Sequence, residues 1–428
     1  MKFRRALLSS LTALLFFCPA GVRVSAADPI DIEIQRTAGR FNLGVAAFNP
    51  QDKSTDQKRM NELRDVIIAD LTFSKNFNLV TEGPGVVKNK DVVAWGKIGS
   101  DSVLAAHVKI RPGSDVDISA RLIDVGSAKE NLSIRKKGSV PSMRALGHEV
   151  ANEIVKFFTG QAGIFTSKIA FVNDVAGRKE LFLMDYDGKN ARRLTNDNSI
   201  VILPRISWDG QKVIFTSYVR GNPDLYIMNR DGSGRQRISE QSGLNVSPSW
   251  APNGEEFALT LSINGPPNIY LMDKQGHIKR RVTDSQEADT APSFSPDGSQ
   301  LVFTSDRAGS PHIYIMNLDG TGLRRLTTAG HCDSAAWSPD GQTIVYVKGQ
   351  GSDPFDIYSI EVQTGIERRL TWAKGNSENP TWSPDGRFIA FVTSRRGKYE
   401  LFVMAADGSD QRPLFTNNGQ TSTPHWSN

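Results

Sequence analysis

The sequence has little cysteine, with two residues in 428, Cys18 and Cys332. Cys18 lies in an apolar run near the N-terminus. A chain processed after that run therefore keeps one thiol, which cannot form an internal disulfide. Histidine is also scarce, with six residues. They are scattered along the chain, and no two stand at the spacing of a metal-ligand pair. The sequence therefore predicts a fold that is stabilised by burial, with no metal site.

Motifs of the common enzyme classes are missing as well. The chain has no Gly-x-Ser-x-Gly nucleophile elbow and no Gly-x-x-x-x-Gly-Lys phosphate loop. His148 and Glu149 could begin a zinc-protease helix, but Asn152 stands where the second histidine ligand is required. We therefore predict no catalytic residues and no cofactor, and we expect that the protein is not an enzyme.

Long hydrophobic runs are absent except at the N-terminus. Residues 6–20 form an apolar run after basic residues, and Val24-Ser25-Ala26 reads as a small-residue cleavage signal. The run is too short to span a bilayer, so residues 1–26 are predicted to be a signal peptide. Its removal takes four basic residues from a net charge of +5 and leaves +1. Such a chain lacks the dense basic charge that nucleic-acid binding requires.

A repeat of about 44 residues fills the C-terminal two thirds of the chain. Each unit contains a Pro-x-Trp-Ser-Pro-Asp-Gly turn, then an apolar segment such as Ile-Tyr-x-Met, then an Arg-Leu-Thr end. The turn segments are 204–210, 248–254, 292–298, 335–341, 380–386 and a shortened copy at 424–428. Four short strands per unit, named A to D from the Pro-x-Trp segment onward, are typical of a β-propeller blade.

The ends of the repeat array predict how the ring closes. The first B strand, at 168–172, has no A strand before it, and the last A strand, at 423–427, has no B strand after it. Pairing the two completes a sixth blade and removes the open edges of the ring. We therefore predict an all-β six-bladed propeller over 161–428, closed by strands from both ends of the array.

The sequence pattern before the propeller predicts a small α/β domain over 37–160. Apolar residues recur at helical spacing over 56–73 and again from Met143 to Phe157, with Ser142 as N-cap and Gly160 as the stop. Strands are predicted at 41–48, 77–81, 103–110 and 116–124. Within residues 27–36, apolar and polar residues alternate from Ile30 to Gln35, which suits either a first strand or an arm that adds to a partner's sheet edge. The predicted arm residues are Ile30, Asp31, Ile32, Glu33 and Ile34.

One aromatic residue recurs at the same place in five units. These residues are Trp250, Phe294, Trp337, Trp382 and Trp426. A tryptophan stripe could form a sugar-stacking platform, but the regular period favours packing between blades.

Polar residues before each Pro-x-Trp segment predict a rim around one propeller opening, since rigid scaffolds carry function on their loops. The alternative is that they are only solvated turns. The predicted rim residues are Asn245, Ser247, Asp289, Thr290, Ala291, His331, Asp333, Glu378 and Asn379.

The arrangement resembles the TolB family of the Tol-Pal system. The resemblance rests on Gly147-His148-Glu149, Phe158-Thr159-Gly160 and Gly163-Ile164-Phe165, followed by the Trp-Ser-Pro-Asp-Gly repeats. It implies a periplasmic scaffold that binds the lipoprotein Pal at one propeller opening and TolA through the arm. It also implies a role in outer-membrane invagination at cell division and in envelope integrity.

Family Pal contacts carry over onto Asn245, Ser247, Thr290 and Ala291. The alternative function is that of a secreted propeller hydrolase or a carbohydrate- or peptide-binding protein.

Overall fold

The computed structural model describes residues 39–52, 55–110, 115–263, 265–372 and 374–427. The predicted signal peptide and the predicted arm, including Ile30 to Ile34, lie outside the described residues. Residues 40–428 form one compact unit.

The first part of this unit is a mixed sheet covered by two long helices. Its elements are β1 (Phe41–Val45), β2 (Asn49–Pro50), α1 (Gln57–Phe73), β3 (Phe77–Val80), α2 (Val93–Gly96), β4 (Ser102–Ile110), β5 (Asp115–Asp124), β6 (Glu130–Ser139) and α3 (Met143–Thr159). Short 3-10 turns, Asn89–Val92 and Val140–Ser142, precede α2 and α3. The strand order is β3-β1-β4-β5-β6, with β1 parallel to β3 and to β4.

Local chemistry explains where the long helices begin and end. The Asp56 carboxylate accepts hydrogen bonds from the N–H groups of Lys58 and Arg59, which caps α1. Helix α3 ends at Gly160, whose φ of 77° is readily accessible to glycine. Ser142 precedes α3 as predicted but does not cap it, because its hydroxyl bonds the backbone of Ser139 instead.

The sequence pattern missed two features of this sheet. The strand predicted over 41–48 stops at Val45, and residues 49–50, for which no strand is predicted, form β2, which pairs with β4. The fully buried Trp95 on α2 fills the space beside Gly44 and Gly83, where a side chain would collide with its ring. The backbone must therefore approach this indole closely at both glycines.

Six four-stranded antiparallel sheets follow, and they form the blades of a propeller. Blade 6 contains β7 (Lys168–Val175), β8 (Arg178–Asp185) and β9 (Arg192–Arg193). Blade 1 contains β10 (Val201–Ile206), β11 (Lys212–Ser217), β12 (Asp224–Asn229) and β13 (Gln236–Ser239). Blade 2 contains β14 (Asn245–Trp250), β15 (Glu256–Leu261), β16 (Asn268–Asp273) and β17 (Ile278–Arg281).

The remaining blades repeat this pattern. Blade 3 contains β18 (Asp289–Phe294), β19 (Gln300–Ser305), β20 (His312–Asn317) and β21 (Arg324–Arg325). Blade 4 contains β22 (His331–Trp337), β23 (Thr343–Gly349), β24 (Asp356–Glu361) and β25 (Glu367–Arg369). Blade 5 contains β26 (Ser377–Trp382), β27 (Phe388–Thr393), β28 (Glu400–Ala405) and β29 (Arg412–Phe415).

The ring closes as the sequence predicts. The last strand, β30 (Gln420–Ser427), pairs antiparallel with β7, so blade 6 has the order β30-β7-β8-β9. Trp426 on β30 is buried and donates its indole N–H to the Ser167 hydroxyl at 2.8 Å. Residues from both ends of the array therefore hold one blade together.

The α/β domain packs against blades 5 and 6, at the turns between their C and D strands and at the start of strand B of blade 5. The Phe73 ring lies 4.7 Å from that of Phe388, measured between centroids, and Lys75 pairs with Asp410 at 3.1 Å. Helix α3 ends at Thr159 and β7 begins at Lys168, and we place the proposed domain boundary, between residues 160 and 161, in this connection.

Candidate functional site

The A strands line the propeller axis, and each carries the same irregularity. The register with strand B shifts by one residue in every blade, which leaves a bulge in strand A. One residue of each bulge has a left-handed backbone, with φ between 45° and 58°. These six residues are Leu203, Ser247, Ala291, Ser334, Asn379 and Thr423.

None of the six is glycine, and five of them precede proline, which normally favours extended backbone. Left-handed non-glycine residues cost free energy and persist only where the surrounding structure holds them. The packing of the propeller around the bulges therefore holds these six residues in the left-handed conformation.

The bulges surround a cavity of about 440 Å³ on the axis. Its wall continues from the bulges to the turns between strands A and B, where Pro296, Pro339 and Pro384 contribute. Thr290 and Asp333 line the cavity just before their bulges. The cavity is large enough for a few inserted side chains.

Five of the nine predicted rim residues line this cavity. They are Ser247, Thr290, Ala291, Asp333 and Asn379. Three of them are the left-handed bulge residues of their blades, so their placement is fixed by the backbone. The structure thus brings together residues from blades 2, 3, 4 and 5.

Two predicted rim residues are buried inside the fold, so the expectation that they lie in exposed loops is wrong. Asn245 and Asp289 begin their A strands and are fully buried. The Asn245 amide oxygen accepts from the Ser239 hydroxyl at 2.5 Å, and Asp289 takes two bonds from Arg307 at 2.9 and 2.8 Å. Both residues tie the start of strand A to its surroundings.

The last two predicted rim residues lie away from the cavity wall. His331 is exposed and packs edge-on to Phe355, with ring centroids 5.5 Å apart. The Glu378 carboxylate accepts a hydrogen bond from the Tyr399 hydroxyl at 2.9 Å. Neither residue is among those that line the cavity.

The repeated aromatic residues are core residues, as the regular period favours. Trp250, Phe294, Trp337, Trp382 and Trp426 are between 4% and 8% exposed. The indoles of Trp250 and Trp382 donate to backbone carbonyls of the preceding blade, both at 3.2 Å. All five contribute to the cavity wall, but so little of each ring is exposed that it offers no platform for a sugar.

Sequence reasoning predicted no rim residue in blades 1 and 6, and so missed Arg205, Trp208 and His425 in the cavity wall. Burial lowers the pKa of Arg205 to about 10, so its guanidinium stays charged at neutral pH. Burial and the nearby Arg205 charge hold the pKa of His425 well below its usual range. A comparison of equivalent positions across the repeats could have found them, because each differs from its counterparts.

Within the described ranges, no three His, Cys, Asp or Glu side chains group closely enough to hold a metal ion. No helix in the described part of the chain is both long and apolar enough to cross a bilayer.

The fold and the cavity define a class of protein. This class has a closed six-bladed propeller, an α/β domain docked on two of the blades, and a polar cavity on the propeller axis. Two family models match the chain. The TolB amino-terminal domain matches residues 30–131, and the TolB beta propeller domain matches residues 155–428. The propeller model covers more than half of the chain, so the chain belongs to the TolB family, which confirms the resemblance.

Individual relatives agree with this assignment. The Tol-Pal system protein TolB of Geobacter sulfurreducens is 37% identical over 41% of this chain and 42% of its own length. The corresponding protein of Roseobacter denitrificans is 32% identical over 50% of each chain. The matched stretches thus span half or less of these relatives' length. The solved structure of TolB from Acinetobacter baumannii superposes with a TM-score of 0.78 at 26% identity, covering 91% of this chain and 97% of that chain.

Proposed function

We propose that this protein is a periplasmic, non-enzymatic scaffold of the Tol-Pal system that binds the lipoprotein Pal at the axial cavity. The observation that carries the proposal is the cavity itself. Six left-handed bulge residues, one from each blade, surround the cavity, and five of the predicted rim residues line it. Membership of the TolB family supports the same role. In this role, the propeller presents a rigid surface and the partner supplies the segment that enters it.

Thr290 gives the sharpest test of the Pal proposal. It lines the cavity, is partly exposed and makes no side-chain hydrogen bond with a described residue. The mature protein, residues 27–428, is titrated with the soluble domain of Pal from the same organism in a calorimeter. Thr290→Arg fills the cavity with a long charged side chain, so the affinity should fall about tenfold or more.

Gln363→Arg is the matched control, because it adds the same charge at an exposed turn in blade 4. It should leave the affinity unchanged. Equal affinities for the parent and for Thr290→Arg, with both proteins folded, would remove the cavity from the Pal interface.

The second part of the proposal is that the arm, residues 27–36, binds TolA by adding a strand to its sheet edge. The alternation of Ile30, Ile32 and Ile34 with Asp31 and Glu33 supports it. Protein that lacks residues 27–36 should lose binding to the TolA C-terminal domain and keep binding to Pal. Loss of both or of neither would contradict two separate sites.

The cellular part of the proposal is a role in outer-membrane invagination and envelope integrity. A strain without the protein should leak periplasmic enzymes and form chains of cells, and the parent gene should reverse both effects. Release of the protein by osmotic shock tests the periplasmic location. Robust turnover of peptide or glycan libraries would favour the alternative, a secreted hydrolase.

A further inference from the structure

The six blades repeat one structure, so equivalent positions can be compared from blade to blade. In blades 1 and 6, the cavity wall contains residues that differ from their counterparts in the other blades. The residue two places after the bulge is small in four blades: Ser249, Ser293, Ala336 and Thr381. It is Arg205 in blade 1 and His425 in blade 6. Because four blades form the same strand with a small residue there, the fold does not require a charged or aromatic side chain at this place.

Blade 1 departs from the repeat a second time. In the turn between strands A and B, the other complete turns place proline at Pro252, Pro296, Pro339 and Pro384. Blade 1 has Trp208 at this position, which lines the cavity and is 43% exposed. Its indole N–H donates to the Trp250 carbonyl at 3.3 Å, which holds the ring at the cavity wall.

Arg205 carries a charge that no described residue balances. Among the described residues, its guanidinium has one hydrogen-bond partner, the carbonyl of Pro204 at 2.9 Å from Nη1, and it forms no ion pair. A charged group that is partly removed from water costs free energy unless a counter-charge or hydrogen bonds compensate for it. Arg205 therefore has unused donors and an unbalanced charge facing the cavity.

His425 adds a neutral donor beside this charge. The backbone N–H of Ile206 donates to Nδ1 of His425 at 3.1 Å, so the neutral ring carries its proton on Nε2. Among the described residues, none accepts a hydrogen bond from this Nε2. Arg205 on β10 and His425 on β30 thus present free N–H groups from neighbouring strands.

The acidic group of the cavity lies on the opposite side of the ring. Asp333 belongs to blade 4, three blades from blade 1, and its carboxylate accepts from the Thr304 hydroxyl at 2.8 Å. It forms no ion pair with Arg205. The positive potential of the cavity is therefore confined to the side formed by blades 1 and 6.

We propose that Arg205, His425 and Trp208 form a carboxylate-binding site, and that its occupant is an acidic side chain on a segment of the protein partner. This inference rests on the proposed function, because it assumes that a protein enters the cavity. The planar guanidinium matches a carboxylate with two parallel N–H groups, and the exposed indole can cover the apolar part of the segment. One cation and one neutral donor suit a monoanion better than a phosphate dianion.

The first experiment titrates the parent, Arg205→Gln and Arg205→Lys with the soluble domain of Pal in a calorimeter. Arg205→Gln should lower the affinity about tenfold or more, and Arg205→Lys should lower it less because it keeps the charge. Arg220→Gln removes an exposed arginine of the same blade and should change nothing. An unchanged affinity for Arg205→Gln would overturn the inference while leaving the proposed function intact.

The second experiment separates the site from the partner. Protein with 15N-labelled histidine is titrated with sodium glutarate, or with glutaramide plus matched sodium chloride, and the Nε2 resonance of His425 is followed. Glutarate alone should shift this resonance in the parent and not in Arg205→Gln. If glutarate shifts it while Pal does not bind the parent, the site stands as one for a free carboxylate and the inferred protein occupant falls. No shift, or equal shifts in both proteins, would overturn the carboxylate site.

Discussion

Tyr186 in the propeller donates its hydroxyl hydrogen to Oδ1 of Asp70 in helix α1, at 2.5 Å. The other oxygen of Asp70 lies 2.7 Å from Nδ1 of His148 in helix α3, and all three groups are buried. Burial raises the pKa of the Asp70 carboxyl, and the bonds from His148 and Tyr186 oppose that rise. One carboxylate therefore links both long helices to the turn between strands C and D of blade 6, that is, between β8 and β9.

This relationship predicts that Tyr186→Phe weakens the docking of the α/β domain on the propeller. The variant keeps the ring and removes one hydrogen bond from a buried carboxylate, which should cost about 1–3 kcal/mol of unfolding free energy. Urea unfolding followed by tryptophan fluorescence measures the loss. Tyr218→Phe is the control, because the Tyr218 hydroxyl makes no hydrogen bond to a described residue. Equal stability of the two variants would show that the link contributes nothing.

Ring closure predicts a large effect of Trp426→Ala. Trp426 is buried on the closing strand, and truncation of a buried tryptophan costs about 3–5 kcal/mol. Trp372→Ala removes a side chain that is 63% exposed and should change stability by less than about 0.5 kcal/mol. Deletion of residues 424–428 should lower the melting temperature further than either substitution. A deleted chain that melts with the parent would contradict closure by β30.

The strained bulges predict that a suitable substitution stabilises the propeller. Thr423 is β-branched, has a φ of 45°, and its buried hydroxyl has no partner within the described residues. Asparagine tolerates this backbone, as Asn379 does at the same place in blade 5 with a φ of 51°. Thr423→Asn should therefore gain about 1 kcal/mol in urea unfolding. Thr423→Val keeps the branch and loses the hydroxyl; an equal gain from this variant would point to the hydroxyl rather than the backbone.

The lowered pKa of His425 predicts a pH dependence of stability. Below its usual pKa of 6.5, this histidine takes up a proton in the unfolded chain but not in the folded protein. Stability is therefore lost as the pH falls through the usual titration range of histidine, from about 7 to about 5. The His425→Asn variant should lose correspondingly less stability over the same range.

Part of the pH dependence of stability should remain in His425→Asn, because burial also lowers the pKa of His107 and of His312. His277→Asn changes an exposed ring and serves as the control. A slope that is identical in His425→Asn and in the parent would show that this ring titrates normally when folded.

The repeat made most of the fold predictable. The turn residues Ser383 to Gly386 form the expected tight turn, with Gly386 N–H donating to the Ser383 carbonyl at 2.9 Å. Such turns are specified by local chemistry, so a period of 44 residues was enough to place the strands. The closing pair β30 and β7 followed from counting strands, since an unpaired edge is unfavourable.

The site was less predictable, because side-chain direction at a bulge depends on backbone that no sequence period shows. Asn245 and Ser247 stand two residues apart, yet Asn245 is buried and Ser247 lines the cavity. A polar residue at the start of strand A can serve the fold or a partner, and its type does not distinguish the two. The His148–Asp70–Tyr186 link joins residues up to 116 positions apart in the sequence, so local patterns could not reveal it.

The central proposal is that Pal binds at the axial cavity. A photo-crosslinking amino acid at position 290, with the same amino acid at position 363 as the control, tests it most directly in a mixture with the Pal domain. Position 290 should give a cross-linked product with Pal, and position 363 should give none. Cross-linking from position 363 but not from position 290 would place Pal elsewhere and contradict the proposal.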